Sequence, residues 1–254
     1  MEMRVLCLLL IAGSMAQEDM DRNVFFFSKK SDADYVVLTP MVAEPLNKLT
    51  VCSRSYTGGG TYTLLNVGTP ELRISDMFVI YLTTSGYNQI SPYFTTTIIA
   101  NNSWVSMTAK ADVLDWMHIC MTWDSNTRVL QLWVNGKVYP RTVLQKGSSI
   151  DLHHSIVLGQ KQRKTRASHT RNYVYQWDTG SLFQGEISDV HMWNEVLSPE
   201  TIRKVLLNDR EINGNVISWR SLNYTIIGDV IVQPKLQCRY GSESGSSYSQ
   251  CSMD

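Results

Sequence analysis

An excess of charge of either sign is missing from this sequence. Its 23 Lys and Arg balance 23 Asp and Glu. A general nucleic-acid binder carries a basic surplus, so no nucleic-acid partner is expected. Long apolar runs are missing too. Val5 to Ala12 falls at about half the roughly 20 residues a spanning helix needs, and no other stretch is long and apolar enough, so no membrane insertion is expected. There is no GxGxxG and no GxxxxGKT; Gly58-Gly59-Gly60 reads as a bare turn. Strands do not alternate with helices, which removes the case for a parallel nucleotide-binding sheet. CxxC spacing is absent, and no His stands at metal-motif distance from a second Cys. No GxSxG, HExxH or Ser-His-Asp cue occurs. Glu186 and Asp189 alone invite a glycosidase reading, but three positions apart in a strand they point to opposite faces. Enzyme activity is not expected.

What is present begins with a leader. Arg4 supplies a positive start, Val5 to Ala12 an apolar centre, and Ser14-Met15-Ala16 small residues at the −3 and −1 positions. This predicts a signal peptide over 1–16, cleaved before Gln17, and a secreted chain. Cys7 leaves with it. Cys52, Cys120, Cys238 and Cys251 remain, an even number in an oxidising compartment, where disulfides are the natural reading. Three pairings are open on these grounds.

Of 254 residues, 43% are hydrophobic, with 7 Trp, 12 Tyr and 6 Phe, enough apolar bulk for a sizeable core. Eleven short apolar-aromatic runs recur between turn signals: 23–27, 35–38, 49–52, 62–65, 78–82, 118–123, 129–134, 155–158, 186–193, 216–219 and 230–232. Many alternate with period two, which predicts an all-β sandwich. Val129–Val134, then Asn135-Gly136, then Lys137-Val138-Tyr139 is the clearest hairpin, because Asn-Gly supplies the positive φ angles of a two-residue turn. One segment has a helical period. Ser198 is its N-cap, Pro199 its first residue and Glu200 its first-turn acid; Ile202, Val205 and Leu206 share a face, and the end falls near Asn208. Residues 239–254 change to Ser/Gly composition and read as a flexible tail after a domain spanning 17–238. Asn101-Asn102-Ser103 and Asn223-Tyr224-Thr225 are glycosylation sequons in a secreted chain. His153, His154 and His191 have no ligand partners at a diagnostic spacing.

His118-Ile119-Cys120-Met121-Thr122-Trp123-Asp124-Ser125 fits HxCx(S/T)Wx(S/T), the pattern of the pentraxin family. Phe25-Phe26-Phe27, Tyr35-Val36, Trp133-Val134-Asn135-Gly136-Lys137, Ile156-Val157-Leu158-Gly159-Gln160, Val190-His191-Met192-Trp193-Asn194, Leu197-Ser198-Pro199 and Ser218-Trp219-Arg220-Ser221-Leu222 follow in the family's order. Over about 23–237 the sequence resembles a pentraxin. The resemblance implies a concanavalin-like two-sheet jelly roll with the short helix lying on one sheet. It implies a flat homo-oligomer, usually a pentamer, that binds phosphate-bearing headgroups or microbial saccharides through calcium and recruits complement in innate immunity. It also implies a Cys52–Cys120 disulfide, which would close a loop of nearly seventy residues and contribute roughly 4 kcal/mol in the chain-entropy model. Cys238 and Cys251 lie outside the common core and are left open.

The family's calcium ligands carry over only in part. An Asp-Asn pair corresponds to Ser75-Asp76, and a Glu-Gln-Asp run to Lys161-Gln162-Arg163. Asp178 matches a Glu, and Ser181 falls near a Gln. Asp76, Gln162 and Asp178 keep usable oxygens, whereas Lys161 and Arg163 offer none. Calcium seeks six to eight oxygens, several of them carboxylate, so a degenerate site with weak or absent calcium is expected. The stretch 159–175 carries Lys161, Arg163, Lys164, Arg166 and Arg171 and no acid. It is either a solvated surface loop or an anion site in which Arg163, Lys164 and Arg166 hold the phosphate directly. Tyr81 corresponds to the aromatic residue of the family's ligand pocket; simple core packing is the other reading of it. From Met77 to Ala111 there is no Asp or Glu to face an ammonium group.

Overall fold

Nineteen strands dominate the computed structural model, which describes residues 17–68, 77–84, 93–100, 103–110, 115–144, 149–153, 155–167, 172–240 and 249–253. Residues 1–16, on which the signal-peptide expectation falls, and Ser75, Asp76, Asn101, His154 and Arg171 lie outside the described residues. In chain order the strands are β1 (Asn23–Phe27), β2 (Tyr35–Leu38), β3 (Lys48–Tyr56), β4 (Thr61–Val67), β5 (Phe78–Thr84), β6 (Tyr93–Ala100), β7 (Ser103–Lys110), β8 (Met117–Asp124), β9 (Val129–Val134), β10 (Lys137–Val138), β11 (Thr142–Val143), β12 (Ile156–Leu158), β13 (Gln162–Arg166), β14 (Tyr173–Trp177), β15 (Gly185–Trp193), β16 (Tyr224–Ile227), β17 (Val230–Pro234), β18 (Leu236–Tyr240) and β19 (Ser249–Met253). One α-helix, α1 (Pro199–Leu206), stands among the described residues.

Two antiparallel sheets carry the core. The first runs β10–β9–β8–β3–β15–β1–β17, with β11 also on β9; the second runs β16–β2–β12–β4–β5–β6–β7. The all-β sandwich with one short helix is therefore observed. Phe25, Leu49, Val51, Ile119, Met121 and Trp123 of the first sheet meet Leu65, Phe78, Ile80, Leu82 and Ile98 of the second in one buried cluster. Burying each large side chain contributes roughly 1.5–3 kcal/mol.

The first sheet is covered on its other face as well. Cys52, Cys120, Trp133 and Trp193 form a second cluster with Leu197, Ile202 and Val205, beneath α1. This is why β8 is buried at seven successive positions rather than at alternate ones. The helix starts where the sequence places it: the Ser198 hydroxyl accepts from Thr201 N at 3.1 Å, with Pro199 in the first turn. The Asn-Gly hairpin is also observed, with φ of 47° at Asn135 and 77° at Gly136.

Three stretches depart from the sequence reading. Val216–Trp219 makes only an isolated bridge, Met192 to Ile217, and the chain then turns through a 3-10 segment, Trp219–Ser221. The Trp219 side chain drives this, since it is fully buried and its Nε1 donates to Met20 O at 2.7 Å. β6 and β7, which the eleven runs omit, extend the second sheet to its edge. At the edge of the Ser/Gly stretch, β18, which begins before it, pairs with β19 inside it as a hairpin that places Cys238 opposite Cys251 in register.

Candidate functional site: the basic hairpin

The basic segment leaves the second sheet at the end of β12. Gly159 has φ of +89°, and a Cβ there would meet the Phe27 ring at 2.6 Å, so glycine is needed for the turn. The buried Gln160 side chain then anchors the exit, donating to Ser31 O at 2.9 Å and Asp34 O at 2.8 Å. Beyond it, β13 and β14 pair only with each other, in the register Gln162↔Trp177, Lys164↔Tyr175 and Arg166↔Tyr173. The ribbon closes where Asp178 N donates to Lys161 O at 2.9 Å. Asp178 caps the 3-10 turn Thr179–Ser181 that returns the chain to the body.

At the foot of this hairpin the chain supplies its own cation. Lys161 Nζ lies 2.7 Å from Asp178 Oδ2, and each side chain is 15% exposed. The same ammonium sits 5.3 Å from the centre of the Tyr81 ring. Asp178 also accepts from Ser181 Oγ at 3.0 Å and Gly180 N at 3.2 Å, while Ser181 Oγ meets Thr63 Oγ1 at 3.2 Å. Burial alone would push the Asp178 carboxyl up. The Lys161 ammonium, with the Ser181 and Gly180 donors, outweighs burial and holds it below the usual carboxylate range.

The described part of this arrangement does not fit a divalent cation. Of the three residues with usable oxygens, Asp76 lies outside the described residues. Asp178 already satisfies an ammonium and two hydrogen-bond donors. Gln162 is 2% exposed, and neither end of its amide has a hydrogen-bond partner. Among the described residues, one neutral oxygen beside a bound ammonium does not approach the oxygen-rich, carboxylate-bearing shell of calcium.

Tyr81 sits in mid-strand, half-buried, with Lys161 over its ring. Arg163, Lys164 and Arg166 are all exposed. They do not converge on one point: adjacent residues of a strand point to opposite faces, so Arg163 faces away from Lys164 and Arg166. Lys164 Nζ stands 4.3 Å from the Tyr173 ring centre and 5.7 Å from that of Tyr175. Trp177 packs against Tyr35 at 5.0 Å and fixes the foot of the ribbon. Neither Tyr173 nor Tyr175 stands out in a reading by charge. Their signal was the alternation Tyr173-x-Tyr175-x-Trp177 opposite the basic strand.

The other candidates have structural roles. Cys52 and Cys120 are bonded, with Cα atoms 4.1 Å apart and β3 directly beside β8. His118 lies against this pair, with Nε2 3.6 Å from Cys120 Sγ, but the sulfurs are spent on each other and leave no metal-binding thiolate. His191 Nδ1 accepts from Gly214 N and Trp219 N at 3.3 and 3.4 Å. His153 is exposed and pairs with Asp151 at 2.8 Å. Asp189 is buried and held by Arg54 Nε at 3.1 Å and by Lys235, so it is committed to an ion-pair network inside the fold. Glu186 instead lines a separate groove of about 460 Å³. Asn223 is half-buried immediately before β16, and Asn101 lies outside the described residues.

The model of the Pentaxin family matches residues 23–234. The chain is a pentraxin. It is 40% identical over 252 residues to C-reactive protein of Xenopus laevis, covering 99% of both chains. It is 35% identical to jeltraxin of Lepidobatrachus laevis, over 83% of this chain and 87% of that one. Serum amyloid P-component of Cavia porcellus is 33% identical over 87% and 91% of the two chains. A heptameric SAP-like pentraxin from Limulus polyphemus superposes with a TM-score of 0.70 at 21% identity, covering 85% of this pentraxin and 96% of that chain, and so shares its fold.

Proposed function

We propose that this pentraxin is a secreted, ring-forming recognition protein of innate immunity that takes anionic ligands, phosphate-bearing or saccharide, at the basic hairpin without calcium. The carrying observation is the Lys161 ammonium, 2.7 Å from Asp178 and over the Tyr81 ring. A tethered cation then occupies both the carboxylate and the aromatic face that a metal or an ammonium headgroup would need. Attraction for ligand comes from Lys164 and Arg166 on one face of the ribbon, with Arg163 adding only longer-range charge from the other, since Lys161 is neutralised by its partner. A closed homo-oligomer, a pentamer in the family pattern, suits weak single sites on repetitive surfaces, because multivalency raises avidity without new contacts. Complement recruitment belongs to the same reading, and catalysis does not.

The experiment is binding of the mature protein to an immobilised phosphoethanolamine surface and to a phosphorylated-polysaccharide surface, each with calcium and with chelator. The reading expects retention on the phosphorylated polysaccharide in chelator, falling steeply with salt. Loss of all binding in chelator would return the site to the metal-dependent pattern.

A further inference from the structure

At the C-terminus we infer an intrachain disulfide, Cys238–Cys251, that closes residues 239–250 into a loop and leaves no thiol to link neighbouring subunits. The inference rests on the oxidising compartment of the secreted reading above and on nothing at the ligand site.

The placement comes from register. β18 and β19 run antiparallel from Leu236↔Met253 to Tyr240↔Ser249, and Cys238 stands directly across from Cys251. Opposed residues share a face of a ribbon, with Cα atoms about 5.5 Å apart in a hydrogen-bonded pair and about 4.5 Å apart in the other kind. Both values lie within the roughly 4.4–6.8 Å that a disulfide spans, so the backbone need not shift to accept the bond. A slip of one residue would put the two cysteines on opposite faces.

The ribbon also needs a pin. β18 and β19 pair with each other and with neither main sheet, and an isolated two-stranded ribbon is at best marginal in water. Its connection, Gly241-Ser242-Glu243-Ser244-Gly245-Ser246-Ser247-Tyr248, has a flexible-linker composition that holds no register by itself. The base is already tied to the body, since Lys235 N donates to Arg22 O at 2.8 Å and Lys235 Nζ pairs with the buried Asp189. A bond three positions further on fixes the rest.

The choice of partner follows from what the other cysteines do. Cys52 and Cys120 are bonded to each other, and Cys7 falls in the expected leader. Joined by twelve residues, Cys238 and Cys251 meet at an effective concentration in the millimolar range, roughly, above that of a thiol on a separate chain before assembly. The bond forms by two exchanges with a small-molecule disulfide of the oxidised glutathione kind. One cysteine thiolate attacks a sulfur of that disulfide and releases the first thiol; the second thiolate attacks the mixed disulfide and releases the other. Two protein thiols are oxidised, one external disulfide is reduced, and the two protons end on the released thiols. Reductant should reopen this bond first, because Cys52 and Cys120 are fully buried beneath α1.

The test is peptide mapping of the full mature chain from culture medium, with free thiols blocked by N-ethylmaleimide in denaturant and no reduction. Trypsin cuts after Lys235 and Arg239, leaving Cys238 in 236–239 and Cys251 in 240–254. These two peptides should be recovered joined, with no maleimide on either cysteine, from a chain that keeps its single-chain mass in denaturing, non-reducing conditions. A tryptic nick after Arg239 in the native protein should release nothing, whereas the Cys238→Ser, Cys251→Ser double variant should release 240–254. Under a mild reductant, Cys238 and Cys251 should become labelled at least about tenfold faster than Cys52 and Cys120. Maleimide or a small thiol on Cys238 or Cys251 would overturn the proposal, and so would joined peptides that come from covalent dimers. Joined Cys52 and Cys120 peptides beside free Cys238 and Cys251 would overturn it alone and leave the secreted reading intact. Free thiols at all four positions would overturn both.

Discussion

Lys161 and Asp178 hold each other at the foot of the basic hairpin, 2.7 Å apart and almost withdrawn from solvent. The pair stands where family resemblance places two carboxylates around a metal. A single substitution of the acid by a lysine changes more than the ligand count, because the long side chain reaches back to the remaining carboxylate. The site keeps its charge balance in the absence of an ion.

Reversing that charge should reopen the site. Lys161→Glu puts two carboxylates side by side at the foot of the hairpin and removes the ammonium from Tyr81. The variant should be less stable than wild type without calcium and should gain several degrees of melting temperature in about 2 mM calcium, while wild type shifts by less than about 1 °C. Differential scanning fluorimetry with and without calcium reads both. A variant as unresponsive as wild type would mean that Lys161 is not what excludes the metal.

The disulfide should matter through the helix-covered face. Cys52 and Cys120 close a separation of 68 residues. The Cys52→Ala, Cys120→Ala double variant should lose about 4 kcal/mol, or roughly 10 °C in melting temperature for a domain of this size. Both sulfurs also pack under Ile202 and Val205, so protease cleavage near α1 should accelerate in the variant.

Acid should destabilise the fold before its carboxylates titrate. Burial pushes His191 down to about 4, and burial with the Arg54 charge pushes His118 down to about 3. Both are bound neutral in the folded state and protonate near 6.5 when unfolded. Their contribution is complete above pH 6.5 and declines by about 1.4 kcal/mol per pH unit for each as pH falls towards those values. Melting temperature measured from pH 7.5 to 4.5 should fall accordingly. His191→Gln keeps a backbone-bonding acceptor and should flatten part of that slope.

Much of the fold was legible because its signals are local. The Asn135-Gly136 turn, the Ser198 cap and the period-two runs each fix their own segment. β6 and β7 escaped because Thr95, Ser106 and Thr108 take outward positions that charge usually marks, and because the fully buried Thr96 interrupts the apolar period of Phe94, Ile98 and Ala100. Val216–Trp219 read as a strand because apolar content shows burial without showing backbone direction. At the site, the loss of oxygens was visible in Lys161 and Arg163. That Lys161 turns inward while Arg163 turns out could not be read, since it depends on the hairpin register and on Tyr81, eighty positions earlier. The same register separates Arg163 from Lys164 and Arg166, which a count of charges treats as one cluster.

The most direct test of the central claim is isothermal titration of calcium into the mature protein at neutral pH. The Lys161–Asp178 pair predicts no saturable heat below millimolar calcium, and no change when Lys164 and Arg166 are neutralised. A saturable isotherm with micromolar affinity would contradict it, because such binding requires Asp178 to release the ammonium that now holds it.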